Sequence, residues 1–152
     1  MLVYIASDHA GFEMKKVVEN YLLEEGYDVV DMGPFSYNEN DDYPDFIHPV
    51  IREMKESAVR IGEENVRAVI LGGSGTGEAI VANRYSGVRT VVFNSVNLEI
   101  VELGRQHNNV NVLSVGARFV DNDYLKLALE KFLKSPFDKN SRHARRIEKI
   151  DK

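Results

Sequence analysis

Short β-branched runs and stretches with helical spacing alternate along the whole chain. The runs Leu2–Ala6, Tyr27–Met32, Val66–Leu71, Val88–Phe93 and Val110–Val115 are nearly continuous in apolar character, as strands covered on both faces should be. Between them, Phe12–Glu25, Phe46–Ile61, Glu78–Arg84, Val96–Arg105 and Tyr124–Leu133 carry apolar residues at helical period. In the first of these, Phe12, Val17, Tyr21 and Leu22 suit an inward face, and Glu13, Lys16, Glu24 and Glu25 suit water. Strands separated by single helices predict βαβ units. The expected fold is therefore α/β: a single-domain, three-layer αβα (Rossmann-like) arrangement with a five-stranded parallel sheet. A short C-terminal helix, Arg142–Ile150, follows the loop "SPFDKN". No repeat, low-complexity tract or linker divides the 152 residues, so one domain, 1–152, is expected.

In open parallel sheets, ligands settle at the carboxyl ends of strands. The loops expected there are chemically loaded: "SDHAG" after the first strand, "GGSGTGE" after the third and "NSVN" after the fourth. The fourth helix also ends in a polar cluster, "GRQHNN". Four glycines in the third-strand loop, Gly72, Gly73, Gly75 and Gly77, allow the backbone to approach a ligand closely. Three familiar uses of such a loop fail at a residue that matters. A dinucleotide fingerprint read from Gly73 meets Glu78 where its third glycine belongs, and no acid follows near Phe93–Val96. A nucleotide-phosphate loop read from Gly72 to Gly77 needs lysine next and meets Glu78, whose charge would repel a polyphosphate. A hydrolase elbow built on Gly72 and Ser74 fails at Thr76. What remains is a strand, a nest of backbone N–H groups and a helix start, with Ser74, Thr76 and Glu78 close together. Such donors stabilise an oxyanion, and a carboxylate beside them is placed to take a proton from carbon next to a carbonyl. The plainer alternative is that Glu78 only complements the helix dipole.

Charge narrows the choice of partner. The net charge of −5 argues against a general nucleic-acid binder. It is unevenly placed: residues 139–152 hold six basic and two acidic residues, leaving −9 on the first 138. A short basic segment on an acidic body suits a local anion site. With no cysteine, disulfides, thiol nucleophiles and cysteine metal sites are excluded. The apolar start "LVYIA" is too short for a secretory leader, and no run is long enough to cross a membrane, so a cytoplasmic location is expected.

Several other positions could carry chemistry. Asp8 and His9 follow the first strand, where Asp8 could equally cap a helix. His107 and Asn108 close the fourth helix, where a protonated His also suits the dipole. His48 is expected at the surface. No histidine pair has metal-ligand spacing and "NENDDYPD" lacks the calcium-loop pattern, so no metal is expected. Ser141 suits an N-cap, which puts Arg142 and Arg146 one turn apart on one face. Arginines near a helix start oppose its dipole, a penalty that a bound dianion would reverse. Arg118, after the fifth strand, could be a third phosphate ligand, whereas the alternative reading of the terminal segment is a solvated basic tail.

At this point the chain resembles the ribose-5-phosphate isomerase B and galactose-6-phosphate isomerase (RpiB/LacAB) family. The matching stretches are "SDHAGFE", "DYPDF", "GGSGTGEAIVANR", "RQHNNVNVLSVGARF" and "SRHARRIEKI", in order from residue 7 to residue 150. The resemblance implies interconversion of aldose and ketose sugar phosphates through an enediolate, with no cofactor. It implies that Asp8 and His107 assist ring opening, and that His9, Arg118, Arg142 and Arg146 clamp phosphate. The backbone of Gly72–Gly77 would hold the enediolate with Thr76 in support, and Tyr43 and Asn108 would line the sugar. One branch of the family uses a cysteine base where Ser74 stands. The other has serine there and a glutamate at the position of Glu78, and this chain resembles the second. In that reading Glu78 is the base and Ser74 orients it by a hydrogen bond. Burial by the loop would raise the Glu78 pKa toward neutrality.

The family also implies a homodimer or homotetramer with shared active sites, His107 and the arginines meeting Glu78 across an interface. The connection "GPFSYNENDDYPD" is about two residues longer than the family pattern leads one to expect, and Pro49 sits early in the next helix. That loop leads to Tyr43 and bears on which sugar fits. Ribose 5-phosphate leads; galactose 6-phosphate, allose 6-phosphate or erythrose 4-phosphate are the alternatives. A non-catalytic sugar-phosphate-binding protein is the rival from another class.

Overall fold

Successive residues of the first strand face opposite sides of a sheet, and each side has its own core. In a computed structural model, which describes all of residues 1–152, Val3 and Ile5 pack into one buried cluster and Tyr4 and Ala6 into another. The central strand divides likewise, Val69 and Leu71 against Ala68 and Ile70.

The strands are β1 (Leu2–Ser7), β2 (Asp28–Asp31), β3 (Val66–Gly72), β4 (Thr90–Phe93) and β5 (Val112–Gly116). The helices are α1 (Phe12–Glu24), α2 (Pro44–Ile61), α3 (Thr76–Ala82), α4 (Glu99–Asn108), α5 (Asn122–Lys134) and α6 (Arg142–Ile147). All strand pairs are parallel and the order is β2-β1-β3-β5-β4. Helices α1, α4 and α5 cover one face through Leu22, Val101, Leu125, Leu129 and Phe132. Helices α2 and α3 cover the other through Ile47, Val50, Ile51, Met54 and Ala82. This is the α/β fold with a five-stranded parallel sheet that the alternating pattern predicts. No helix is long and apolar enough to cross a membrane.

Local chemistry moves several boundaries. Helix α2 starts two residues before the periodicity suggests because Pro44 occupies its first turn, where a missing N–H is harmless. Pro49 sits inside that helix. Helix α4 starts and ends later than expected: Asn97 Oδ1 accepts the Glu99 N–H at 3.1 Å, and Asn109 closes the helix at φ 46°. Helix α6 ends at Ile147 rather than Ile150, although Ser141 caps it as expected, accepting from the His143 N–H. In α1, Val18 rather than Val17 is fully buried, and so is Lys15. The Lys15 ammonium donates to Asp31 at 2.5 Å and to the Pro34 carbonyl at 2.9 Å, an ion pair that lets a charge sit inside.

The chain leaves β1 toward β2 on one side and returns to β3 on the other. The loops after β1 and β3 therefore diverge and open a crevice at the carboxyl ends of the two strands. The core beneath is well filled. Phe132→Ala should destabilise the chain by about 3–5 kcal/mol, read as a lower denaturation midpoint in urea. A loss below about 1 kcal/mol would mean that α5 is not held by this core.

Candidate active site

The loop after β3 is held by its carbonyls. The Gly72 carbonyl accepts from the Ala117 N–H at 2.8 Å and that of Gly73 from the Arg118 N–H at 3.2 Å. The Ser74 carbonyl accepts from Asn94 Nδ2 at 3.2 Å, and that of Gly75 accepts from the Ser114 hydroxyl at 2.6 Å and the Ala79 N–H at 3.1 Å. With these carbonyls engaged from the ends of β4 and β5, the N–H groups of Gly73, Ser74, Gly75 and Gly77 make no hydrogen bond within the chain. They form the donor nest that the sequence suggested.

Each glycine of the loop marks where another group presses on the backbone. A Cβ on Gly72 would overlap Glu78 Oε1, so the missing side chain is the space that the carboxylate fills. A Cβ on Gly73 would come within 3.2 Å of the Arg118 guanidinium, and one on Gly77 within 3.0 Å of the Tyr43 ring. Gly75 has φ +75° and lies against the β5 backbone, where only glycine fits without strain.

Glu78 is 3% exposed and has no cation within ion-pair distance. Burial pushes its carboxyl above the usual carboxylate range; its own N–H opposes the shift and the nearby Asp8 charge adds to it. The expected hydrogen bond from Ser74 to Glu78 is absent. Ser74 Oγ instead accepts the Thr76 N–H at 3.3 Å, and both side chains are exposed at the mouth of the loop.

Across the crevice, Asp8 turns out to be a cap and a neighbour of Glu78 at once. Its Oδ1 accepts the Ala10 and Gly11 N–H groups at 2.8 and 3.0 Å. His9 brings in a residue that the sequence reading missed, Asp41. Its Oδ1 accepts both the His9 N–H at 3.1 Å and His9 Nδ1–H at 2.7 Å. That hydrogen bond raises the His9 pKa above its ordinary value, partly offset by burial. The only hint in the sequence was an acid just ahead of "DYPDF". Asp8, His9 and Asp41 are close enough to ligate a cation, within 4.8 Å of one another, but their mutual and backbone hydrogen bonds already occupy Asp8 Oδ1, Asp41 Oδ1 and His9 Nδ1.

The remaining candidates gather elsewhere. His107, Asn108 and Arg146 line a cavity of about 400 Å³ between α4 and α6, together with His143, Ile147 and Ile150. The His107 and His143 rings stack at 4.3 Å, and burial holds the His143 pKa below its ordinary value, with positive neighbours adding to the effect. Arg142 is exposed on the same short helix. His48, expected at the surface, is half-buried with Nδ1 2.6 Å from the Tyr85 hydroxyl. One chain thus brings Asp8, His9, Tyr43, Glu78 and Arg118 around the glycine loop and sets His107, Asn108 and Arg146 apart in a second group.

A family model describing ribose/galactose isomerases matches residues 3–150, nearly the whole chain. The chain belongs to the ribose/galactose isomerase family. Among the relatives of this family, ribose-5-phosphate isomerase B of Mycolicibacterium paratuberculosis is 36% identical, covering 97% of this chain and 88% of its own length. The crystal structure of ribose 5-phosphate isomerase RpiB from Thermotoga maritima superposes with a TM-score of 0.87 at 38% identity, covering 99% and 97% of the two chains. That of ribose-5-phosphate isomerase B from Mycoplasma genitalium, with bound ribulose-5-phosphate, gives 0.89 at 36% identity, covering 98% and 93%.

The Asp41 contact sets the expected behaviour of His9. In Asp41→Asn the acceptor charge is gone, so the His9 midpoint should fall toward the ordinary imidazole value. The imidazolium would then be lost at lower pH than in the parent. Histidine NMR titration reads the shift, and an unmoved midpoint would show that Asp41 does not govern His9.

Proposed function

We propose that this chain is one catalytic domain that interconverts ribose 5-phosphate and ribulose 5-phosphate by proton transfer through an enediolate. The observation that carries the reading is Glu78: a buried carboxylate with no paired cation, at the carboxyl end of the central strand, next to four unengaged backbone N–H groups. Family membership and the relatives' activities support it. In this proposal the chain sits with the branch that carries serine at 74 and glutamate at 78.

The chemistry assigns each group a task. Asp8, with His107, opens the sugar ring. Glu78 takes the C2 proton and returns it to C1. The electron pair left at C2 forms the C1–C2 double bond and displaces the carbonyl pair onto O1, where the N–H groups of Gly73, Ser74, Gly75 and Gly77 stabilise the oxyanion. As C1 takes the proton back, the O2 hydroxyl proton passes to O1 and C2 becomes the carbonyl. Thr76 and Ser74 line the mouth of this hole, and Tyr43 and Asn108 line the sugar. Desolvation of Glu78 raises its basicity, which favours it as a proton acceptor. His9, whose charged form the Asp41 hydrogen bond favours, binds the phosphate with Arg118, Arg142 and Arg146.

We further propose a homodimer or homotetramer with shared sites. The division of the candidates into two groups within one chain supports it, because the phosphate ligands of α6 would reach Glu78 from a second copy. An apolar groove of about 570 Å³ along the β4 edge, lined by Val88, Val91, Ile100, Val110 and Ile150, supplies a surface for that copy to cover.

The proposal is tested by ketose formation from ribose 5-phosphate, with galactose 6-phosphate, allose 6-phosphate and erythrose 4-phosphate in parallel, and by loss of a C2 proton label to solvent. A protein that only bound sugar phosphates would retain the label. Glu78→Gln should lose turnover by about two to four orders of magnitude while still binding substrate, and near-normal turnover would remove Glu78 as the base. In the parent, kcat should fall with decreasing pH through a midpoint above the ordinary carboxylate range, because the raised pKa protonates the base early. Arg146→Ala should mainly raise KM, by about tenfold or more, with kcat little changed; an unchanged KM would move the clamp elsewhere.

A further inference from the structure

Opposite the glycine loop, at the amino ends of β3, β4 and β5, three arginines converge on one cavity of about 290 Å³: Arg67, Arg89 and Arg105. Arg67 and Arg105 are only 5% and 4% exposed. Buried guanidinium groups are normally paired with carboxylates. None of these three has a carboxylate within ion-pair distance.

Their protein partners are neutral and too few. A guanidinium offers five N–H donors. Arg67 uses Nη1 alone, toward the carbonyls of Glu63 and Val66. Arg105 also uses Nη1 alone, toward Asn109 Oδ1 and the Val110 carbonyl. Arg89 donates through Nε to the Asn109 carbonyl and through Nη1 to that of Gly87. The buried Nε atoms of Arg67 and Arg105 have no partner, and the Nη2 atoms of all three make no hydrogen bond within the chain. Burial lowers the proton affinity of all three, repulsion between the guanidinium groups lowers that of Arg67 and Arg105 further, and burial chiefly pushes Arg105 down to about 10. Lys134 and Lys139 add two further positive charges to the lining, which therefore outweigh Glu63 and Glu64 when taken with the three arginines.

We propose that this cavity is an anion site, separate from the candidate active site, which binds an oxyanion of the phosphate class across Arg67, Arg89 and Arg105. Paired guanidinium forks match the tetrahedral oxygens of such a group, and an anion would meet the N–H donors that the protein leaves open. The volume, just under the roughly 300 Å³ at which small-molecule pockets begin, suits phosphate itself or phosphate with a short organic tail. Few apolar side chains line it, which disfavours an apolar ligand.

Isothermal titration of inorganic phosphate, with sodium chloride at matched ionic strength as control, tests the site. Arg146→Ala serves as the parent, to weaken binding at the proposed sugar-phosphate clamp. Saturable binding should persist in that parent. It should weaken by about tenfold or more when Arg67→Met or Arg89→Met is added, while each of the two variants made alone leaves the KM for ribose 5-phosphate unchanged. Phosphate binding that is undiminished by these substitutions, or absent from the parent and from the wild-type chain beyond its clamp, overturns the proposal. Should Arg67→Met fail to fold, Arg89→Met decides by the same criterion. A second titration with ribose 5-phosphate separates the sources: Arg67-dependent binding of it marks the ligand as an organic phosphate, and binding of inorganic phosphate alone marks it as the free ion.

Discussion

The site depends on one arrangement of hydrogen bonds: the carbonyls of Gly72, Gly73, Ser74 and Gly75 are all turned back into the ends of β4, β5 and α3. A peptide unit whose oxygen points inward presents its N–H outward, so fixing the carbonyls also fixes the donor nest. The same inward pull brings the loop close enough to β5 that Gly75 and Gly116 tolerate no side chain: a Cβ on either would meet backbone at 3.0 and 2.7 Å. Glu78 then has one place to go, over the Cα of Gly72. The parallel order of the sheet matters because it puts β5, rather than β4, beside β3. The Ser114 hydroxyl and the Ala117 and Arg118 N–H groups are therefore at hand to donate to the loop carbonyls.

Electrostatics divides the crevice into unlike halves. Around Glu78 the surroundings are desolvating and free of cations, so its proton affinity rises. Around His9 an acid in direct contact does the opposite work, favouring the charged imidazolium. Two kinds of group are thereby held ready within one crevice, a carboxylate that takes up a proton easily and an imidazole that releases one reluctantly. Asp8 stands between them, with one oxygen spent on backbone N–H groups of the turn that carries His9. A single local motif, the "SDHAG" turn, therefore serves both halves.

Much of this was legible in the sequence because it rests on local rules. Strand and helix order followed from hydrophobic period, the donor nest from glycine spacing, the α6 cap from Ser141, and the raised pKa of Glu78 from its position behind a tight loop. The parts that were not legible depend on contacts between distant segments. Asp41 reaches His9 across 32 positions of chain, and Asn94 reaches Ser74 across 20. Nothing in either neighbourhood specifies that pairing. The burial of Lys15 is not visible in helical period because its partner, Asp31, lies on another element. The Ser74–Glu78 bond failed for a local reason: the serine hydroxyl turns back to the Thr76 N–H two residues on, a competition open to any serine before a helix. Arg67, second in the run Val66–Leu71, is where period alone places a strand residue of no chemical interest.

A fold retains a buried, unpaired charge only against a thermodynamic penalty. For Glu78 the sign is explicit. Its pKa is higher in the folded chain than in the unfolded one, so folding favours the protonated form and stability falls as pH rises through the raised value. The ionised form that proton abstraction requires is thus the form least favoured by the packing, which ties basicity to the strain of burial. At the opposite end of the sheet the signs are reversed, with guanidinium groups crowded together and no carboxylate within ion-pair distance of them. A scaffold selected for stability alone would pair or remove both sets, since replacing buried charge by apolar groups is often stabilising. Both sets lie at ends of strands, where a ligand can enter without breaching either core. In the proposed reaction the Glu78 carboxylate would be relieved by taking a proton from carbon, and the arginine cluster would be relieved by an anion. The parallel sheet separates these two uncompensated charges by the length of β3, so each can be tuned without disturbing the other.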